Sequence, residues 1–225
     1  MKKKYLIKFK ILFKLYLYYF SLKYKFLHKN SYSQFGEDLV IDKFFGNFIG
    51  KYVDIGCYHP IKYNNTALLH KRGWSGCNID LNPISIDLFN VSRKKDLNIT
   101  ACLSDTKEEV TVYLDNYFSA LNSINPKNSQ NFQLKNTKKL KVKTQLFSEL
   151  VKENFDFLNI DCEGNDYKIL KTIDLKKYTP RLINIEVTKE NESDIYNYMN
   201  DNFYELLETK SLSHIFKRKD KKKGQ

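Results

Sequence analysis

The sequence predicts an α/β fold of the Rossmann-like kind, and three observations predict it. Residues 52–82 read as a strand, a glycine turn, a short helical run and a second strand ending in an acid. Residues 155–160 form another apolar strand-length run, and it too ends in an acid, Asp161. Strand-length and helix-length runs alternate between and after these, which calls for a mostly parallel central sheet. The pattern closes with two extended segments, 204–208 and 214–217, that read as a hairpin-like antiparallel pair. A basic amphipathic helix precedes the whole.

The glycine turn carries the most chemistry. Val53 and Ile55 are β-branched and sit in a short apolar run, as in a buried parallel strand. Gly56, just past Asp54, lets the backbone turn with no Cβ in the way. Asp80 ends the next strand, about 24 positions after Gly56. In nucleotide-binding α/β folds a carboxylate roughly 20 residues past the turn accepts both ribose hydroxyls. Cys57, Tyr58, His59 and Pro60 stand where a dinucleotide site needs further glycines, so a diphosphate is excluded. No G-x-x-x-x-G-K-[ST] cradle for ATP or GTP is present. A ligand with a ribose and no phosphates remains, and S-adenosylmethionine fits. An ordinary strand-turn-strand with a capping aspartate fits the same residues.

Composition narrows the class. The chain has 225 residues, enough for one domain with a full core, and 15% of them are aromatic. The net charge of +12 is concentrated at the ends. Residues 1–30 hold nine lysines and no acid, and residues 217–225 hold six basic residues and one acid. The body between them is close to neutral, so specific nucleic-acid binding is not expected. Cys57, Cys77, Cys102 and Cys162 form no CxxC pair and sit at or beside strands, as small core residues do. The compartment expected from them is cytoplasmic.

Taken in order, residues 4–27 are rich in Leu, Ile, Phe and Tyr, with lysines too frequent for a membrane span. No small-residue cleavage site follows, which argues against a signal peptide. As a helix, most lysines of residues 1–30 fall on one side. Such a helix suits an anionic membrane surface, or packs on its own domain or a partner subunit. Residues 33–38 lead into a helical run over 39–45, with acids in its first turn. Asn65 or Thr66 is placed to cap a helix running to Arg72. Residues 76–79 form the second strand, and Leu81 and Asn82 after Asp80 would lie along an adenosine. Pro83 starts a helix to about Arg93. Residues 99–103 form the third strand, with Ser104 and Asp105 at its end. Residues 110–114 and 140–145 look extended, and 147–152 helical. Between them, residues 115–139 carry much Asn, Ser and Lys and little periodicity, and are the candidate acceptor lid. After Asp161, residues 165–172 read as a helix, 181–187 as a fifth strand with Glu186 near its end, and 192–202 as a helix. The expected divisions are a helix at 1–30, the main domain at 31–217 and a basic tail at 218–225.

Six segments in order resemble the FkbM-like family of S-adenosylmethionine-dependent methyltransferases. They are Ser33-Gln34-Phe35-Gly36-Glu37-Asp38, Val53-Asp54-Ile55-Gly56-Cys57-Tyr58-His59-Pro60, Asn65-Thr66, Gly73-Trp74-Ser75-Gly76, Ile79-Asp80-Leu81-Asn82-Pro83 and Phe157-Leu158-Asn159-Ile160-Asp161-Cys162-Glu163-Gly164. The resemblance spans about residues 31–217 and departs at Cys57, where the family usually has Ala. It implies a class I methyltransferase fold and methyl transfer to oxygen, often on sugars or polyketides. It also implies that Gln34 borders the cofactor, with Asp54, Gly56, Asp80, Leu81 and Asn82, and that the Ser104–Asp105 strand end lies near the adenine. A surface-polysaccharide precursor is the acceptor it favours. With the basic helix, that suggests work at the inner membrane face.

A sugar hydroxyl is a poor nucleophile while protonated, so a base or a metal should assist. Asp161 is the first candidate base and His59 the second, since His titrates near neutrality. Asp161 with Glu163 and a third oxygen ligand could instead hold Mg²⁺. Asp161 could also simply cap the following helix. Asp105 reads equally as a turn residue. An NAD-dependent oxidoreductase is disfavoured by the missing glycines. A non-catalytic membrane- or glycan-associated binding module remains the alternative to an enzyme. Oligomeric state is not legible.

Overall fold

The computed structural model describes residues 10–114 and 138–220. The expected lid lies almost entirely outside these residues, as do the ends of both basic tails.

The elements run in chain order as α1 (Lys10–Phe26), α2 (Glu37–Phe45), β1 (Lys51–Ile55), α3 (Ala67–Lys71), β2 (Ser75–Asp80), α4 (Pro83–Ser92), β3 (Leu97–Thr100) and β4 (Cys102–Leu103). Then come β5 (Glu109–Leu114), β6 (Lys138–Gln145), α5 (Phe147–Leu150), β7 (Phe157–Ile160), α6 (Asp166–Lys171) and α7 (Leu175–Tyr178). The chain finishes with β8 (Leu182–Glu186), α8 (Glu192–Asp201), β9 (Tyr204–Lys210) and β10 (Ser213–Arg218). The main sheet has seven strands in the order β3-β2-β1-β7-β8-β10-β9. The first five are parallel, and β10 runs antiparallel to both β8 and β9. This is the expected mostly parallel sheet with a terminal antiparallel pair.

The strand order reverses between β1 and β7. There the carboxyl ends of two neighbouring strands lie side by side, the place where open α/β sheets bind ligands. One face of the sheet packs Val53, Ile55, Leu158, Ile160, Ile183 and Ile185 with α6 and α8 into the main apolar core. On the other face Tyr52, Phe157 and Leu182 meet Ile41 and Phe45 of α2 and Trp74.

Two expectations need correction. The third strand was expected as one run, but the chain divides it between sheets. β3 pairs with β2 up to Asp80, where β2 ends; beyond it Cys102 and Leu103 pair with β6 in a separate three-stranded sheet. The neighbour runs out, so the strand takes another. The second concerns Thr66, which stands at the N-cap of α3 but makes no capping bond. Its hydroxyl donates instead to buried Asp54 at 2.6 Å.

The helix α1 takes the own-domain packing on one face. Phe20 and Tyr24 are buried against Ile61, Ala67 and Leu88, and Ser21 donates to the Val91 carbonyl at the end of α4. Among the described residues no helix is long and apolar enough to cross a membrane.

Candidate active site

Gly56 leaves β1 with φ +76°, and a Cβ built there would lie 1.8 Å from the Asp161 carbonyl oxygen. Only glycine lets the β1 turn pass this close to the end of β7. The two strand ends are bonded as well, the Asp161 N–H donating to the Ile55 carbonyl at 3.0 Å. The turn then crosses to β2, where the Gly56 N–H donates to the Ile79 carbonyl at 2.9 Å.

Asp80 ends β2 beside that turn. Its two oxygens each accept one backbone N–H, from Tyr58 and from Asn82, both at 2.8 Å. Those bonds fix the carboxylate plane and leave a lone pair on each oxygen. Burial lifts its pKa to about 6, against the pull of the two N–H bonds. The side chain stays partly open to solvent. A half-open carboxylate with two preset oxygens suits a vicinal diol, so the residues present fit the ribose of S-adenosylmethionine.

The neighbouring expectations divide. Leu81 is partly exposed beside Asp80. Asn82 is buried, and its Oδ1 caps α4 by accepting from the Ile84 N–H at 3.0 Å. Gln34 is exposed on a loop whose shape comes from two acids that follow it. Asp38 accepts from the Ser31 and Ser33 hydroxyls and the Tyr32 N–H, and Glu37 accepts from the Phe35 N–H. Ser104 is buried after β4 with its hydroxyl on Asp105, which is itself exposed.

Asp54 belongs to a different structure. It is fully buried, accepting from Thr66, from Asn64 at 3.1 Å and from Asn159 at 2.8 Å. In the sheet register Asn98, Asn78, Asp54, Asn159 and Asn184 lie side by side on five successive strands. Asn78 donates to Asn98, and Asn184 to Asn159, each at 2.8 Å. Beneath this row sits fully buried Arg93, donating to Thr66, Asn64, Tyr52, Asn78 and the Pro60 carbonyl. The cofactor-contact expectation for Asp54 therefore gives way to a structural role. Its oxygens are consumed holding the 57–66 loop and the sheet together.

His59 is likewise corrected. It is buried, with Nδ1 accepting the Ile61 N–H at 3.1 Å and its ring edge-on to Phe20 of α1 at 5.3 Å. It lies under the N-terminal helix, a poor place from which to reach an acceptor hydroxyl.

At the end of β7 the helix-cap alternative passes from Asp161 to another residue. Buried Asp166 holds the turn, accepting from the Cys162 N–H at 2.7 Å and the Gly164 N–H at 2.9 Å. Glu163 and Gly164 both take positive φ, 51° and 90°. Asp161 is left solvent-accessible at the end of β7. The surrounding protein, then the charges of Glu186, Asp166 and Glu163, push its carboxyl well above the usual range. The same two causes, burial first and Glu186 second, lift Glu163 and Asp166 each to about 7. Glu186 and Asp166 thus complete a carboxylate group of which sequence reasoning had named two. A glutamate ending the strand beside β7 was the available signal. Among the described residues no three His, Cys, Asp or Glu side chains converge as a metal would require.

A family model described as the methyltransferase FkbM domain matches residues 54–211. The chain belongs to the FkbM methyltransferase family. The structure resembles the FkbM methyltransferase of Methylobacillus flagellatus KT, with a TM-score of 0.56 at 13% identity over 92% of this chain and 59% of that one. The FkbM chain therefore spans less than two thirds of that protein's length. TehB from Haemophilus influenzae aligns with a TM-score of 0.45 at 17% identity, over 89% of this chain and 66% of TehB. No curated protein matches the sequence.

Proposed function

We propose that the protein methylates a hydroxyl oxygen on a sugar or polysaccharide precursor, with Asp161 as the general base. The observation that carries this is the position of Asp161. It is a carboxylate at the switch point between β1 and β7, not spent on capping, and its proton affinity is raised by desolvation among its surroundings and then by Glu186, Asp166 and Glu163. S-adenosylmethionine, when bound, supplies a methyl carbon on a sulfonium. Asp80 would hold its ribose and the Gly56 turn would admit it to the strand ends. Asp161 would accept the acceptor's hydroxyl proton as the oxygen meets that carbon in line, a step governed by proximity. Glu163 and Glu186 keep the Asp161 carboxylate basic. A Mg²⁺ held by Asp161 and Glu163 would need further oxygen ligands, and among the described residues no group of three His, Cys, Asp or Glu side chains supplies them.

A carbohydrate acceptor is supported by an aromatic surface beside the turn. Tyr63 is exposed and stacks on Tyr58 at 6.5 Å and 12°, and the Tyr58 N–H is the one bonded to Asp80. An open aromatic face suits the C–H face of a sugar ring. The test uses methyl-labelled S-adenosylmethionine with a panel of nucleotide sugars and polysaccharide fragments. Label in a base-stable sugar methyl ether, lost with Asp161→Ala, is the expected result. Label only in a carboxyl ester or an amine would rule the reading out.

A further inference from the structure

The helix α1 has two apolar faces, and only one is used by the domain. The inner face buries Phe20 and Tyr24. On the outer face Ile11, Leu15, Tyr18, Tyr19, Leu22 and Phe26 stand 75, 59, 67, 64, 44 and 72% exposed. At about 100° per residue these six fall within an arc of about 100°. Exposed Lys14 and Lys25 border that arc on one side and exposed Lys23 on the other. Beside it, at Leu22 and Lys25, opens a cavity of about 670 Å³ lined by Lys25, Lys71, Lys94 and Lys95. The acid in its wall, Asp96, is turned to the Tyr52 hydroxyl, the Gly76 N–H and the Asn78 amide.

We propose that this outer face of α1 docks flat on an anionic lipid bilayer, with a phosphate headgroup entering the lysine-lined cavity. A continuous apolar stripe of Leu, Ile, Phe and Tyr, flanked by lysines, is the composition of an in-plane interfacial helix. Tyrosines favour the headgroup level, and lysine stems reach back to phosphates while their methylenes lie along the apolar zone. Residues 1–30 contain no acid, so nothing in the segment opposes a negative surface. Each lysine near such a surface adds attraction that salt screens. The expectation from sequence was lysines on one side and aromatics on the other. The fold instead divides the aromatics between core and solvent, and the second set is the membrane surface. The inference is independent of the acceptor and of the role of Asp161.

Deleting the helix would strip Phe20 and Tyr24 from the core, so the test uses exposed positions. The full chain is sedimented with vesicles of phosphatidylcholine alone and of phosphatidylcholine with phosphatidylglycerol. Thermal melts of each variant check that it folds. The wild type is expected to partition onto the anionic vesicles at least roughly tenfold better than onto neutral ones, and less so as salt rises. Leu15→Glu with Tyr18→Glu is expected to abolish this, and Lys94→Ala with Lys95→Ala to weaken it roughly tenfold. Absent partitioning, or partitioning unchanged by both double variants, overturns the proposal. A wild-type dimer that Leu15→Glu with Tyr18→Glu splits, with no vesicle binding, would assign the face to a second copy instead.

Discussion

Three aspartates lie at or near the carboxyl ends of neighbouring strands, Asp54 within β1, Asp80 at the end of β2 and Asp161 just past β7, and each does something different. Asp54 is sealed beneath the sheet, Asp80 is half open with its oxygens preset, and Asp161 is exposed beside other acids. Their sequence contexts are alike, an apolar run and then Asp, so residue type and spacing could place all three but could not assign them. What separates them is the side of the pleat and the partners brought in from afar. Arg93, 39 residues from Asp54 in the chain, holds Thr66 and Asn64, which in turn bond Asp54, and nothing local in the sequence announces it. Arg93→Met would leave the carbonyl and amide acceptors around it unpaired. Loss of one member of a buried charged network costs about 3–5 kcal/mol, readable as a lowered urea midpoint with an unchanged slope. Gly56→Ala combines a left-handed backbone with a 1.8 Å contact to the Asp161 carbonyl. It should prevent cofactor binding even where the protein still folds, as calorimetry on the purified variant would show. Asp80 has a pKa lifted to about 6, and in the proposed role its ionised form would accept the ribose hydroxyls. Affinity for S-adenosylmethionine should therefore fall as pH drops below about 6, and a titration between pH 5 and 8 checks this.

Among the elements, the parallel strands were the most legible. Buried on both faces, they read as short apolar runs bounded by turn residues, and their ends moved by only a residue or two. The third strand misled because its apolar pattern continues unbroken from Ile99 to Leu103 while its pairing partner changes; periodicity reports burial, not which strand lies alongside. The helix α1 was legible as amphipathic, but not the fact that both its faces are apolar enough to matter. Phe20 fills the inner contact, 4% exposed and against His59. Phe20→Ala should cost about 3–4 kcal/mol, measured by denaturant unfolding, whereas Tyr18→Ala on the outer face should change stability by less than about 0.5 kcal/mol.

For the molecule as a whole, the carboxylates around the end of β7 set a pH dependence. Asp166 and Glu163 titrate near 7 in the folded protein, above their unfolded values. Between about pH 4 and 7 the folded state therefore binds more protons than the unfolded one. Stability should fall as pH rises through that window, and Glu186→Gln, which removes the shared repulsion, should flatten the melting temperature against pH. The acids around Asp161 thus cost the fold stability at neutral pH, as expected where like charges are placed together. The measurement that tests this account most directly is S-adenosylmethionine binding by calorimetry for the wild type, Asp80→Ala and Asp161→Ala, with turnover measured alongside. The account predicts binding by the wild type, its loss in Asp80→Ala, and near-normal binding without turnover in Asp161→Ala. Binding retained in Asp80→Ala, or lost equally in Asp161→Ala, would contradict it.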